Sequence, residues 1–222
     1  MPRHASTRSA PAIFARRRAG TLLHVSSLPA PHGVGDLGPA AHAFADWCAA
    51  AGQTIWQMLP VGPVGPGDSP YASTSSFAGE PLYISLESLA DDGLLPRSAL
   101  RVQRSDPRVS ADGPVNWNAA RRFKEPRLRA AYETMRRRRG GIPAAMRAFE
   151  RRNEWWLTGW CRFAMGRRGA SPDPTYHAWL QWEFERQWQR LHAHCAKKGV
   201  LLLGDMPIFV PLDSADVHDN PR

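Results

Sequence analysis

An α/β fold with parallel strands is what this sequence predicts, and three observations carry the expectation. The stretch TLLHVSSLP (21–29) begins as a short apolar strand, passes through the turn chemistry of PHGVGDLGP (31–39), and gives way to a helical pattern in LGPAAHAFADWCAAAG (37–52). A second apolar run, TIWQMLP (54–60), follows at once. Strand, turn, helix and strand in that order make a β/α unit, which sets its strands parallel. Far downstream, VLLLGDMPIFV (200–210) is a near-continuous apolar run, the pattern of a strand buried on both faces of a parallel sheet.

The elements can be justified in turn. Residues 1–19 are rich in Arg, Ser and Ala and hold no acid. Transit peptides share that composition, but Ile13 and Phe14 are the main apolar residues, so a disordered basic head is expected. In the first helix Asp36 is the expected cap, Pro39 sits in the first turn and Gly52 ends it. Ala43, Phe44, Trp47 and Ala51 supply its expected packing stripe. After the second strand, GDSPYASTSSFAGEPL (67–82) is too poor in large aliphatics for a core element, so it reads as a loop that holds something.

Residues 85–172 then change character. They are polar, Arg-rich and helix-prone, with breaks at Pro96, Pro107, Gly113, Pro114 and Gly140–Gly141, and read as an inserted helical subdomain. Trp155, Trp156 and Trp160 lie at helical spacing, which suggests a packing face. A helix from Tyr176 to Lys198 carries Leu180, Phe184, Trp188, Leu191 and Cys195 on one side, and Gly199 stops it before the third strand. The expected organisation is therefore a head (1–19), two β/α units with the loop (20–84), the helical insert (85–172), and a helix with the third strand (173–222).

Composition excludes several classes. The 222 residues are 43% hydrophobic, which suits a globular chain. Cys48, Cys161 and Cys195 are far apart and form no Cys-x-x-Cys pair, which argues against a disulfide framework or a zinc site and for a reducing, cytoplasmic setting. No apolar run approaches the roughly 20 residues of a membrane helix. The net charge is +9. Lys124, Lys197 and Lys198 are the only lysines, so the excess is scattered arginine of the kind a GC-rich genome produces, and neither nucleic acid nor membrane is an expected partner.

Functional residues of β/α folds gather at the carboxyl ends of strands. Those ends supply His24 with Ser26 and Ser27, then Gln57 with Asp68, Ser69 and Tyr71, then Asp205 in LGDMP. Asp, Ser, Tyr and Gln are the groups that hydrogen-bond sugar hydroxyls, while an aromatic ring stacks on the apolar sugar face. The same residues also serve as turn caps and strand-end ion pairs, and His24 equally suits a core position. Asp213, Asp216 and Asp219 do not match the alternation of a calcium loop and read as capping or surface carboxylates. No Gly-x-Ser-x-Gly elbow supports a serine hydrolase.

Three long segments carry a resemblance. GTLLHVSSLPAPHGVGDLGP, GQTIWQMLPVGPVGPGDSPYASTSSFAGEPLYISLE and GVLLLGDMPIFVPLDSADV resemble, in order, the amino-terminal half of the 4-α-glucanotransferases (amylomaltases or disproportionating enzymes), glycoside hydrolases with an α-amylase-type (β/α)8 barrel. The match covers roughly 20–90 and 175–222. The resemblance implies the first three strands of that barrel and transfer of α-1,4-glucan segments (maltodextrin, maltose, starch- or glycogen-derived) to an acceptor sugar. It implies that Ser69 and Tyr71 touch the glucan near the scissile bond and that Asp205 hydrogen-bonds a sugar there, with Asp68 and His24 as further candidates.

The family mechanism is retaining. A nucleophilic Asp and an acid/base Glu stand about 5–5.5 Å apart, a second Asp steadies the transition state, and neither metal nor organic cofactor takes part. In the family those three carboxylates follow the fourth, fifth and seventh strands, so this chain is expected to contain no catalytic residue and to be inactive alone. The alternative is a non-catalytic or decayed glucan-binding fragment.

Overall fold

The computed structural model describes residues 17–102, 113–167 and 169–220. The expected basic head falls largely on 1–16, outside the described residues. Three short strands, β1 (Gly20–Leu22), β2 (Ile55–Gln57) and β3 (Leu201–Leu203), form one parallel sheet in the order β1-β2-β3. Gly20, Thr21 and Leu22 pair with Ile55, Trp56 and Gln57, which in turn pair with Leu201, Leu202 and Leu203. Parallel pairing needs a crossover between strands. Helix α1 (Pro39–Ala50) provides the first. The second runs through the loop beyond β2 and through α2 (Leu86–Asp91), α3 (Trp117–Arg137), α4 (Ala144–Met165) and α5 (Pro174–Lys197). A last short helix, α6 (Ala215–Asp219), packs on α4.

Several local expectations are corrected. The buried face of α1 is Ala41, Ala45 and Cys48, whereas Ala43, Trp47 and Ala51 face outward and only Phe44 of the expected stripe reaches the core, edge-on to Trp56 at 4.8 Å. A helix with alanine on every side leaves its periodicity ambiguous, and close packing against α5 selects the small-residue face. Asp36 does not cap the helix. Gly38 is the N-cap, and Asp36 is buried, accepting Gly38 N–H at 3.0 Å and Lys124 Nζ of α3 at 2.9 Å. Lys124 is fully buried, so this ion pair ties the turn after β1 to the helical region. Gly52, at φ 71°, turns the chain out of α1 as expected.

The third strand ends at Leu203, not near 210, and it is not covered on both faces. Leu201 and Leu203 are 38% and 43% exposed, and Ile208 and Phe209 beyond them exceed 80%. The three-tryptophan face of α4 is also split: Trp160 is buried, Trp156 half-buried and Trp155 66% exposed.

Helix α5 is the spine. Asp173 caps it, accepting Thr175 N–H at 2.9 Å, and the expected stripe of Leu180, Phe184, Leu191 and Cys195 is buried. Two buried glutamines add what periodicity cannot show. Gln181 bonds Gly79 twice, accepting its N–H at 2.7 Å and donating to its carbonyl at 3.0 Å. Gln187 treats Ser85 the same way, at 2.7 and 3.3 Å. Each side-chain amide imitates a strand partner and satisfies backbone that is buried away from water. Gly79 must be glycine for this approach, since a Cβ there would stand 2.4 Å from the Phe184 ring.

Candidate binding site

The loop after β2 is held by its own small polar residues. Glu80 is buried, and its two carboxylate oxygens accept Val64 N–H at 2.8 Å and Leu82 N–H at 3.0 Å, cinching the two ends together. Burial raises its pKa, an effect only partly opposed by Arg121 and these backbone donors. The hydroxyl run is bracing. Ser73 Oγ donates to Ser75 O at 2.8 Å, and Ser75 Oγ accepts from Phe77 N and Ala78 N, each at 3.2 Å. Gly65 lies against the backbone of Ala72, where a Cβ would come within 1.9 Å of the carbonyl oxygen. Such a loop is rigid through hydrogen bonds instead of side-chain bulk, which answers why it carries so few aliphatics.

At the tip, Gly67 and Asp68 both adopt left-handed conformations, φ 78° and 56°. Asp is among the few non-glycine residues that tolerate this. The turn leads to Ser69, whose Oγ accepts Tyr71 N–H at 3.3 Å and fixes the backbone that carries the ring. Tyr71 is half exposed, and its hydroxyl donates to Asp205 Oδ2 at 2.7 Å. Asp205 follows β3, and its Oδ1 accepts Met206 N–H at 2.8 Å. The bond to Asp205 raises the Tyr71 pKa, so the phenol keeps its proton and remains a donor.

Of the five expected site residues, Ser69, Tyr71 and Asp205 are thus linked by hydrogen bonds, and Asp68 stands exposed beside them. His24 is placed differently. It is buried, its Nε2 lies 2.9 Å from the Tyr83 hydroxyl, and its Nδ1 finds no partner among the described residues. Burial lowers its pKa to about 4, so the ring is neutral at pH 7. Asp213, Asp216 and Asp219 are engaged respectively by Arg167, by Ser76 N–H and by Arg162. Among the described residues no group of His, Cys, Asp and Glu is arranged to hold a metal ion.

Sequence reasoning missed Glu80, Gln181, Gln187 and Tyr83. Glu80 stood inside the quoted loop, where a lone carboxylate flanked by Gly and Pro is a signal for a backbone brace. The glutamines left no comparable signal.

A three-stranded parallel sheet with polar residues collected beyond its carboxyl edge defines an α/β enzyme-type fold of the barrel or doubly wound kind. Residues 23–174 and 164–222 match the family model of glycoside hydrolase 77, 4-alpha-glucanotransferase, and the chain belongs to that family. It is 36% identical over 234 residues to the 4-alpha-glucanotransferase of Thermus thermophilus, covering 93% of this chain and 45% of the relative. It is 32% identical over 238 residues to the chloroplastic/amyloplastic 4-alpha-glucanotransferase of Arabidopsis thaliana, covering 93% and 40%. The solved amylomaltase of Streptococcus agalactiae, in complex with acarbose, superposes with a TM-score of 0.83 at 27% identity, covering 93% of this chain and 46% of that one. The chain therefore spans less than half the length of these relatives, and its fold is the amino-terminal, three-stranded part of the family's barrel.

Proposed function

We propose that this chain carries the donor-side sugar-binding wall of a 4-α-glucanotransferase, an enzyme that moves a segment of an α-1,4-glucan to an acceptor sugar by retaining double displacement. The observation that carries the reading is the Tyr71–Asp205 pair, 2.7 Å apart across 134 residues of sequence. A phenol and a carboxylate fixed by a rigid loop on one side and a strand end on the other suit a sugar ring. The ring's apolar face meets the aromatic, and its hydroxyls meet the acid. Ser69 positions Tyr71, Asp68 flanks the pair, and His24 supports the floor from its buried place against Tyr83. Family membership and the acarbose-bound neighbour support an α-glucan as the ligand, with maltodextrins as the class to test first.

No carboxylate described here is assigned as nucleophile or acid/base. Asp205 is already bonded to Tyr71 and Met206, and Glu80 is buried in its backbone brace. The inserted helices between 85 and 172 are read as a buttress for the loop, with no ligand role assigned. Free, buried Cys48, Cys161 and Cys195 support a reducing, cytoplasmic location. Among the described residues no helix is long and apolar enough to cross a membrane.

Calorimetric titration of the purified 222-residue chain with maltoheptaose tests the reading, alongside a disproportionation assay. Saturable binding that weakens at least tenfold in Asp205→Asn is expected, without glucan transfer. Wild-type affinity in both Asp205→Asn and Tyr71→Phe would remove these residues from the site. Transfer by the chain alone would require catalytic carboxylates within it.

A further inference from the structure

Beyond the Tyr71–Asp205 pair, the loop and the segment after β3 continue side by side. Ala215 N–H donates to Thr74 O at 2.8 Å, and Ser76 N–H donates to Asp216 Oδ2 at 2.9 Å. Two stretches of chain far apart in sequence are thus stitched at three successive points, forming a seam that leads away from Asp205. Phe77 is six positions after Tyr71, so the seam is at most about 20 Å long, the reach of a few linked sugar rings.

At its far end is a cleft of about 270 Å³, whose lining includes Phe77, Trp155, Trp156, Asp216, Asp219 and Asn220. Trp155 is 66% exposed and Phe77 is 52% exposed, and the two rings meet edge-to-face at 4.6 Å. Packing does not account for an indole left this open on a helix whose other face is buried. The floor beneath it is closely built. Gly159, in the middle of α4, would place a Cβ 2.5 Å from Asp219 Oδ2, so the glycine exists to let that carboxylate seat against the helix. A mid-helix glycine weakens a helix relative to alanine, and here it admits a polar group to the cleft. Asp219 also pairs with Arg162 at 3.0 Å. Asp216 spends one acceptor position on Ser76, and a carboxylate has about four. Open aromatic faces beside carboxylates with spare acceptor capacity, and a guanidinium that offsets their charge, fit an uncharged polyol with an apolar face and do not fit an anion.

We propose that Trp155 and Phe77, with Asp216 and Asp219, form an accessory subsite for a hexose unit of an α-glucan, at the opposite end of the seam from Tyr71 and Asp205. The proposal rests on the α-glucan reading above but engages different residues. One long oligosaccharide lies along the seam and touches both ends, whereas a disaccharide reaches one.

The test is calorimetric titration of the whole chain with maltoheptaose and with maltose, using wild type, Trp155→Ala, Trp155→Phe and the double variant Tyr71→Ala/Asp205→Ala. Trp155 lies on the surface, and near-UV circular dichroism and an unchanged melting midpoint check that its variants fold. We expect Trp155→Ala to weaken maltoheptaose roughly five- to tenfold, to leave maltose at the Tyr71 end unchanged, and Trp155→Phe to restore most of the loss. We also expect the double variant to retain weak maltoheptaose binding. Wild-type maltoheptaose affinity in Trp155→Ala overturns the subsite, and if the double variant loses binding at the same time, the donor reading survives alone. Wild-type affinity in the double variant with loss in Trp155→Ala sinks the donor assignment and keeps this one. A wild-type chain that binds neither sugar overturns both.

Discussion

Two regions of the molecule obey different rules. Around α5 and the base of the loop, buried polar groups are matched: Gln181 with Gly79, Gln187 with Ser85, Glu80 with Val64 and Leu82, Lys124 with Asp36. Along 204–212, by contrast, Met206, Ile208, Phe209 and Leu212 are 79–88% exposed. A contiguous exposed apolar stretch of this kind marks a contact surface. The difference teaches that one wall of the site is self-supporting, while the other presents its polar residue, Asp205, from a segment held mainly by the stitches to the loop.

The largest effect that would break this contrast comes from the buried ion pair. Lys124→Met removes the ionic partner of buried Asp36, and should cost about 3–5 kcal/mol, read from urea unfolding. Pairing it with Asp36→Leu should recover most of the loss. If the single variant is near neutral, the self-supporting wall is not built as described.

Next is pH. The folded pKa of His24 is about 4, below its ordinary 6.5, so the unfolded chain binds the extra proton first. Stability from this group is complete above pH 6.5 and drains away as pH falls toward 4, by about 3 kcal/mol at most. His32 and His177, also lowered by burial, add to the same window. His24→Gln should flatten part of the slope of the unfolding midpoint against pH between 6.5 and 4. An unchanged slope would mean that His24 is not held neutral in its pocket.

Glu80→Ala orphans two backbone donors, and a loss of about 1–3 kcal/mol is expected, with faster amide exchange confined to Val64, Leu82 and the loop between them. Exchange that spreads through α5 would show that the loop is not a separate brace. Smallest of all, Tyr71→Phe should leave the melting midpoint where it is while weakening maltoheptaose, because its hydroxyl bond lies at the surface. A lower midpoint would make the pair structural.

The sequence made the β/α order legible because strand and helix periods are local, and helix ends were readable where Gly52 and Gly199 supply left-handed turns. What it concealed was long-range. Gln181 and Gln187 each reach a partner 102 positions away, and nothing in a helical stripe distinguishes a clamping glutamine from a solvated one. The apolar run after Leu203 promised a long strand because hydrophobicity reports the wish to be covered, not the hydrogen-bonded pairing that defines a strand. Tyr71 and Asp205 were both suggested by their places at strand ends, yet only the fold joins them. Trp155 misled because three tryptophans at helical spacing imply one face, while α4 packs against both α5 and α6 and leaves Trp155 outside, beside Phe77.

The paired glutamines have one more consequence. Gln181 and Gln187 are six residues apart on α5, about 9 Å along its axis, and they grip Gly79 and Ser85, also six apart. The same helix runs through Gly199 directly into β3, and so to Asp205. Loop and strand are thus two arms joined to a single beam, and the geometry of that beam bears on both Tyr71 and Asp205 although it touches neither.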